Sequence, residues 1–220
     1  MTRKRTAVLI SGRGTNMSAL VEAASSPSFP AEVVLVVADN PEADGLKKAQ
    51  DAGVRTETID RRAFDERAAF EAALQGRLDA VGSELVCLAG FMRVLSADFV
   101  AKWFGRMINI HPSILPSFRG VDTHRRVLEA GVKLHGCSVH FVKADVDAGP
   151  IIMQAAIPIL QDDTPETLSD RLLPVEHRVF PMALRLLASG AIRIDGDRVR
   201  IDGSPRQETP PLIAPDFGLL

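Results

Sequence analysis

Short apolar runs recur along the first half of the chain, and each is followed by a stretch with helical spacing of apolar and polar residues. Residues 6–10 (TAVLI) have the length of a buried strand, and the loop SGRGTN after them opens a helix over 17–24. The pattern then repeats. Residues 33–38 read as a buried strand, 41–51 as a helix, 55–59 as an extended segment, 64–78 as an amphipathic helix and 85–89 as a further strand. A helix at 97–104 and a strand at 107–110 follow, and the strand runs into HPSILPSFRG, a loop rich in proline. Helices alternating with apolar strands carry the chain back across a sheet, so this half predicts parallel strands joined by crossover helices.

The second half has a different rhythm. Residues 137–142 and 151–159 are strand-like and are joined by the turn segment KADVDAGP, which predicts an antiparallel addition. A long helix starts at Thr164, with Pro165 in its first turn, and runs towards Leu187 before Gly190; Pro174 and Pro181 are expected to kink or break it. Residues 192–201 read as a hairpin around Asp195 and Gly196, and the proline-rich tail from residue 204 to 220 is expected to be loosely held. The fold expected is α/β: a Rossmann-like, mostly parallel twisted sheet with helices on both faces and an antiparallel C-terminal addition, forming one domain over residues 1–203.

Composition narrows the partners. With 220 residues and 46% apolar content the chain can bury one sizeable core, and a net charge of −2 without a polybasic run argues against a nucleic-acid partner. The apolar run 7–10 is too short for a signal peptide, and no segment has the length of a membrane span. Cys87 and Cys137 stand fifty positions apart without a second pair, which fits a reducing cytoplasm better than a disulfide framework.

Three places could carry chemistry. SGRGTN lies between a strand and a helix, where backbone amides and the helix N-terminus favour an anion. It lacks the third glycine of the dinucleotide fingerprint, Met17 standing there, and the lysine of the Walker pattern; a mononucleotide phosphate suits it, and a plain strand-to-helix turn is the alternative. Asn109 and His111 share one face of a strand by its period of two, and Pro112 ends the strand, so both should stand at the sheet's carboxyl edge. Packing or capping is their ordinary role. Asp147, in a loop whose path Gly149 and Pro150 fix, is a candidate third member, with Asp145 an equally acidic neighbour. His135, Cys137 and His140 have metal-ligand chemistry, but alternation along a strand sends His140 to the face opposite the other two, so no metal is expected. Ser11 lacks the context of a nucleophilic elbow and Cys87 sits in an apolar strand, which disfavours covalent catalysis.

The segments LAGFMRVLS, INIHPSILPSFRG, THRRVLEAG and HGCSVHFVKADVDAGPII, in this order, resemble the folate-dependent formyltransferases over roughly residues 6–190. With SGRGTN in front, the resemblance implies transfer of a formyl group from 10-formyltetrahydrofolate, as co-substrate, to the amine of glycinamide ribonucleotide, by Asn109, His111 and Asp147 and without a metal. It implies that Gly14, Thr15 and Asn16 hold the phosphate and Glu176 the ribose hydroxyls. It further places Met92, Arg93, Val94 and Leu95 with Asn109 around the pteridine, Lys143, Ala144, Asp145, Val146 and Asp147 around the ring, and Arg67 near the glutamate tail. Asp122 stands where relatives often have His, and Pro174 with Val175 replaces a more polar run. Three rivals remain: transfer to methionyl-tRNA, for which the chain is expected to end too early; hydrolysis of formyltetrahydrofolate, which is usually joined to an N-terminal regulatory domain; and a non-catalytic mononucleotide-binding protein. A homodimer is left open.

Overall fold

The computed structural model describes residues 2–203 and 212–215, so most of the proline-rich tail lies outside the described residues. Seven strands form one sheet: β1 (Lys4–Ile10), β2 (Ala31–Ala38), β3 (Thr56–Thr58), β4 (Leu85–Leu88), β5 (Met107–His111), β6 (Leu134–Phe141) and β7 (Ile151–Pro158). Their order is β3-β2-β1-β4-β5-β6-β7, parallel as far as β5 and antiparallel at β5–β6 and β6–β7. The helices are α1 (Thr15–Ser25), α2 (Asp44–Asp51), α3 (Arg67–Ala80), α4 (Ala97–Lys102), α5 (Thr123–Glu129) and α6 (Pro165–Ala188), and β8 (Ile192–Asp195) and β9 (Arg198–Ile201) make the expected hairpin.

The central strands carry unbroken apolar runs, residues 7–10 of β1 and 85–88 of β4, because both faces of the sheet are covered. Val8, Ile10, Cys87 and Ile108 pack with Met17 and Leu20 of α1 and Phe180 and Leu184 of α6. Their neighbours Ala7, Leu9, Val86 and Met107 turn the other way, onto Phe70, Leu74 and Leu78 of α3 and Phe99 and Val100 of α4. Strand order reverses between β1 and β4, since β1 leads to β2 on one side and β4 to β5 on the other. Such a switch leaves a crevice beyond the carboxyl ends of the strands. The loops after Ile10 and Leu88 both open there, tied by the Ser11 N–H donating to the Gly90 carbonyl at 3.2 Å.

Two expectations need correction. Neither Pro174 nor Pro181 ends α6, which runs unbroken for 24 residues. A proline inside a helix costs about 3 kcal/mol or more through the lost N–H and the crowded carbonyl. Against that, α6 buries Leu168, Leu172, Val179, Phe180, Leu184 and Pro181 itself, and each large apolar side chain contributes about 1.5–3 kcal/mol. Packing wins, and reciprocal bonds between Thr164 and Thr167 cap the N-terminus. The second correction is α5, which the apolar pattern did not foresee: it buries only Thr123 and Val127 and starts from Asp122 in a left-handed conformation, φ 56°.

Candidate active site

The site stands at the carboxyl end of β5. Met107 faces α3 and α4, and the period of two puts Asn109 and His111 on that same side. His111 is buried, and both ring nitrogens meet acceptors: Nε2 lies 3.0 Å from the Phe118 carbonyl and Nδ1 3.3 Å from Asp147 Oδ2. Asp147 Oδ2 also accepts the Gly120 N–H at 2.9 Å. Asp145 is exposed instead, so of the two acidic neighbours Asp147 is the one that reaches the imidazole. The loop can turn this way because Gly149 passes under β6: a Cβ there would lie 1.7 Å from the Phe141 carbonyl oxygen. Phe118 (φ 55°), Asp122 (φ 56°) and Asp147 (φ 51°) are the non-glycine residues with left-handed backbones among those described, and all three flank the site. The Leu115–Pro116 bond is cis.

A fourth side chain belongs to this group. His140 pairs with Asn109 across the β5–β6 ladder, and its Nε2 lies 3.1 Å from Asn109 Nδ2 and 3.6 Å from Asp147 Oδ1. Its Nδ1 is 2.8 Å from the Phe141 carbonyl, so that nitrogen carries a proton and Nε2 accepts from the Asn109 amide. One amide N–H of Asn109 is thereby fixed and the second is left for a ligand. His135 meets His124 instead, with 3.0 Å between Nε2 and Nδ1, so His135 and His140 diverge as strand alternation requires. Among the described residues no group of His, Cys, Asp and Glu could hold a metal ion.

Burial controls the charges here. It pushes the His111 pKa down; the Phe118 carbonyl and Asp147 oppose it, His140 and Arg126 add to it, and the result falls below the ordinary 6.5. Asp147 favours the cation, but desolvation outweighs it in the unliganded protein. Burial also works to raise Asp147, yet the hydrogen bond from the Gly120 amide and the attraction of the neighbouring His111 and His140 rings bring its pKa below the usual carboxylate value. The direction of both shifts favours an anionic Asp147 beside a neutral His111, whose single N–H serves one of its two acceptors at a time. Burial, then His124 and His111, push His135 down to about 4.

Asn109, His111, His140 and Asp147 line a cavity of about 520 Å³ whose walls include Met92, Arg93, Val94, Leu95, Lys143, Ala144 and Val146. Met92, Val94, Val121 and Val146 are more than half exposed at its rim, an apolar mouth of the kind that takes a flat ring. Lys143 is held from outside by Asp197 in the hairpin turn, at 2.5 Å. Asp145 and Arg67 do not line the cavity: Asp145 points to solvent, and Arg67, in the first turn of α3, has its Nε 3.9 Å from Glu71.

The second half of the site surrounds the N-terminus of α1. Gly14 caps the helix with φ 68°, and a Cβ there would lie 2.6 Å from the Gly45 Cα, so only glycine fits. Asn16 Nδ2 donates to Glu176 Oε2 at 2.7 Å, which joins the predicted phosphate loop to the predicted ribose residue across 160 positions of sequence. Burial raises the Glu176 pKa, opposed by Asn16 and by Arg13.

The profile of the Formyl transferase family matches residues 4–184, and the chain belongs to that family. Within it, the chain is 39% identical over 204 residues to phosphoribosylglycinamide formyltransferase of Escherichia coli, covering 93% of this chain and 95% of that one. It is 50% identical over 199 residues to the trifunctional purine biosynthetic protein adenosine-3 of Bos taurus, covering 90% of this chain but only 20% of that protein, so it spans about a fifth of that relative's length. The crystal structure of glycinamide ribonucleotide transformylase 1 from Symbiobacterium toebii superposes with a TM-score of 0.89 at 48% identity, over 91% of this chain and 94% of the other.

Proposed function

We propose that this chain, as one formyltransferase domain over residues 1–203, transfers the formyl group of 10-formyltetrahydrofolate to the amine of glycinamide ribonucleotide; relatives named phosphoribosylglycinamide formyltransferase and trifunctional purine biosynthetic protein support the acceptor and the setting. The observation that carries this reading is the convergence of Asn109, His111 and Asp147 on one cavity wall. Its partners are two small molecules. Buried, unpaired Cys87 and Cys137 support a cytoplasmic setting. Among the described residues no helix is long and apolar enough to cross a membrane.

The uncharged amine attacks the formyl carbon, a C–N bond forms, and the carbonyl electron pair moves onto oxygen. The second Asn109 N–H donates to that oxygen, and so does His111, whose N–H towards Phe118 turns to the stronger, charged acceptor. The growing negative charge raises the proton affinity of His111, so the neutral ring of the resting protein takes up the proton the amine gives up, with Asp147 stabilising the imidazolium. The oxygen's pair then re-forms the carbonyl as the C–N10 bond breaks, the bonding pair leaves on N10 of the folate, and the proton returns to N10. No proton is gained or lost overall. Gly14, Thr15 and Asn16 hold the phosphate by backbone amides, and Glu176 holds the ribose.

The test offers 10-formyltetrahydrofolate with one acceptor at a time and follows tetrahydrofolate release. Glycinamide ribonucleotide is expected to support turnover. Turnover with methionyl-tRNA, or with water alone at the same rate, would assign the site to a rival reaction.

A further inference from the structure

We propose that Asp39, at the carboxyl end of β2, is a positioning residue for the folate pocket, acting through Arg93; this rests on the folate reading of the cavity. Residues 91–95 line the cavity and, with Ser96, have no regular secondary structure, so their own backbone bonds do not hold them. Three side chains from other elements do. The Ser11 hydroxyl accepts the Met92 N–H at 2.8 Å, the buried carboxylate of Glu71 accepts the N–H of Ser96 at 2.6 Å together with its hydroxyl, and Arg93 Nε donates to Asp39 Oδ2.

Of these anchors Asp39 is the costly one. Its side chain is 0% exposed while that of Arg93 is 43% exposed, so a fully desolvated carboxylate lies beneath a guanidinium that reaches the cavity. Asp39 Oδ1 is buried and meets no donor among the described residues. A buried anion with one partner and one unsatisfied oxygen adds little to stability, because desolvation offsets most of the attraction. What it does supply is direction: pinned by Nε, the planar guanidinium is held in one plane, and its terminal N–H groups are left for a polar or anionic group of the folate.

Calorimetric titration of the full chain with tetrahydrofolate, and separately with glycinamide ribonucleotide, tests this. Asp39→Asn keeps the shape and one acceptor while removing the charge; it is expected to raise the Kd for tetrahydrofolate about tenfold and leave the nucleotide Kd within about twofold. Arg93→Gln breaks the same contact from the exposed side, and the double variant should bind no worse than the weaker single variant. A tetrahydrofolate Kd unchanged in Asp39→Asn, equal losses for both ligands, or fully additive losses in the double variant would overturn the role. Failure of the unaltered chain to bind tetrahydrofolate would overturn the folate reading itself, and this inference with it.

Discussion

Asn109→Ala is expected to lower kcat for formyl transfer by about 100- to 1,000-fold, the usual effect of removing one preorganised donor from an oxyanion. The amide is preorganised because His140 Nε2 takes one of its N–H groups at 3.1 Å and orients the other. Since the oxygen carries most charge in the tetrahedral intermediate, the loss should fall on kcat with KM for both substrates changed by no more than a few-fold. Initial rates at saturating substrates measure it. A loss below about tenfold would mean that the amide does not hold the reacting oxygen.

Asp147→Asn is the second large effect, about 100-fold or more in kcat, because it removes the group that stabilises the imidazolium formed during transfer. Its separate signature is the titration of His111, observable as the imidazole Cε1–H resonance. In the unaltered protein this ring titrates below 6.5 because burial exceeds the attraction of Asp147. Removing that attraction makes the cation still less favourable, so the midpoint should move further down. The linkage has a definite sign. A histidine depressed on folding contributes stability above 6.5 that is lost as pH falls from there through its folded value, and the variant extends that window to lower pH. Asp147, held below the ordinary 3.8, contributes stability above that value that is lost as pH falls through its own folded pKa, and the variant lacks this contribution. An unmoved His111 midpoint would remove Asp147 from its role.

Local pattern made much of this legible in the sequence. The apolar runs marked the central strands because a sheet covered on both faces needs no polar alternation, and period two placed Asn109 beside His111. What local pattern lacked was strand pairing. Alternation correctly separated His140 from His135, yet only the register that sets Asn109 opposite His140 shows that this histidine belongs to the site. Asp147 and Asp145 were indistinguishable as letters; a left-handed backbone at Asp147 and close passage at Gly149 decide between them. The charge of His111 depends on burial summed over elements distant in sequence, and the continuity of α6 through two prolines depends on the core beneath it. Arg67, which the resemblance places near the glutamate tail, is not among the residues that line the cavity, whereas Arg93 is.

A kinetic cycle of Asn109→Ala, His111→Ala and the double variant, read as kcat for transfer to glycinamide ribonucleotide, bears most directly on whether two side chains grip one oxygen. Groups acting on the same oxygen lose most of their shared effect once either is gone, so the double variant should be little slower than the worse single variant. If the two losses instead multiply in full, the side chains act independently and the shared oxyanion site is contradicted.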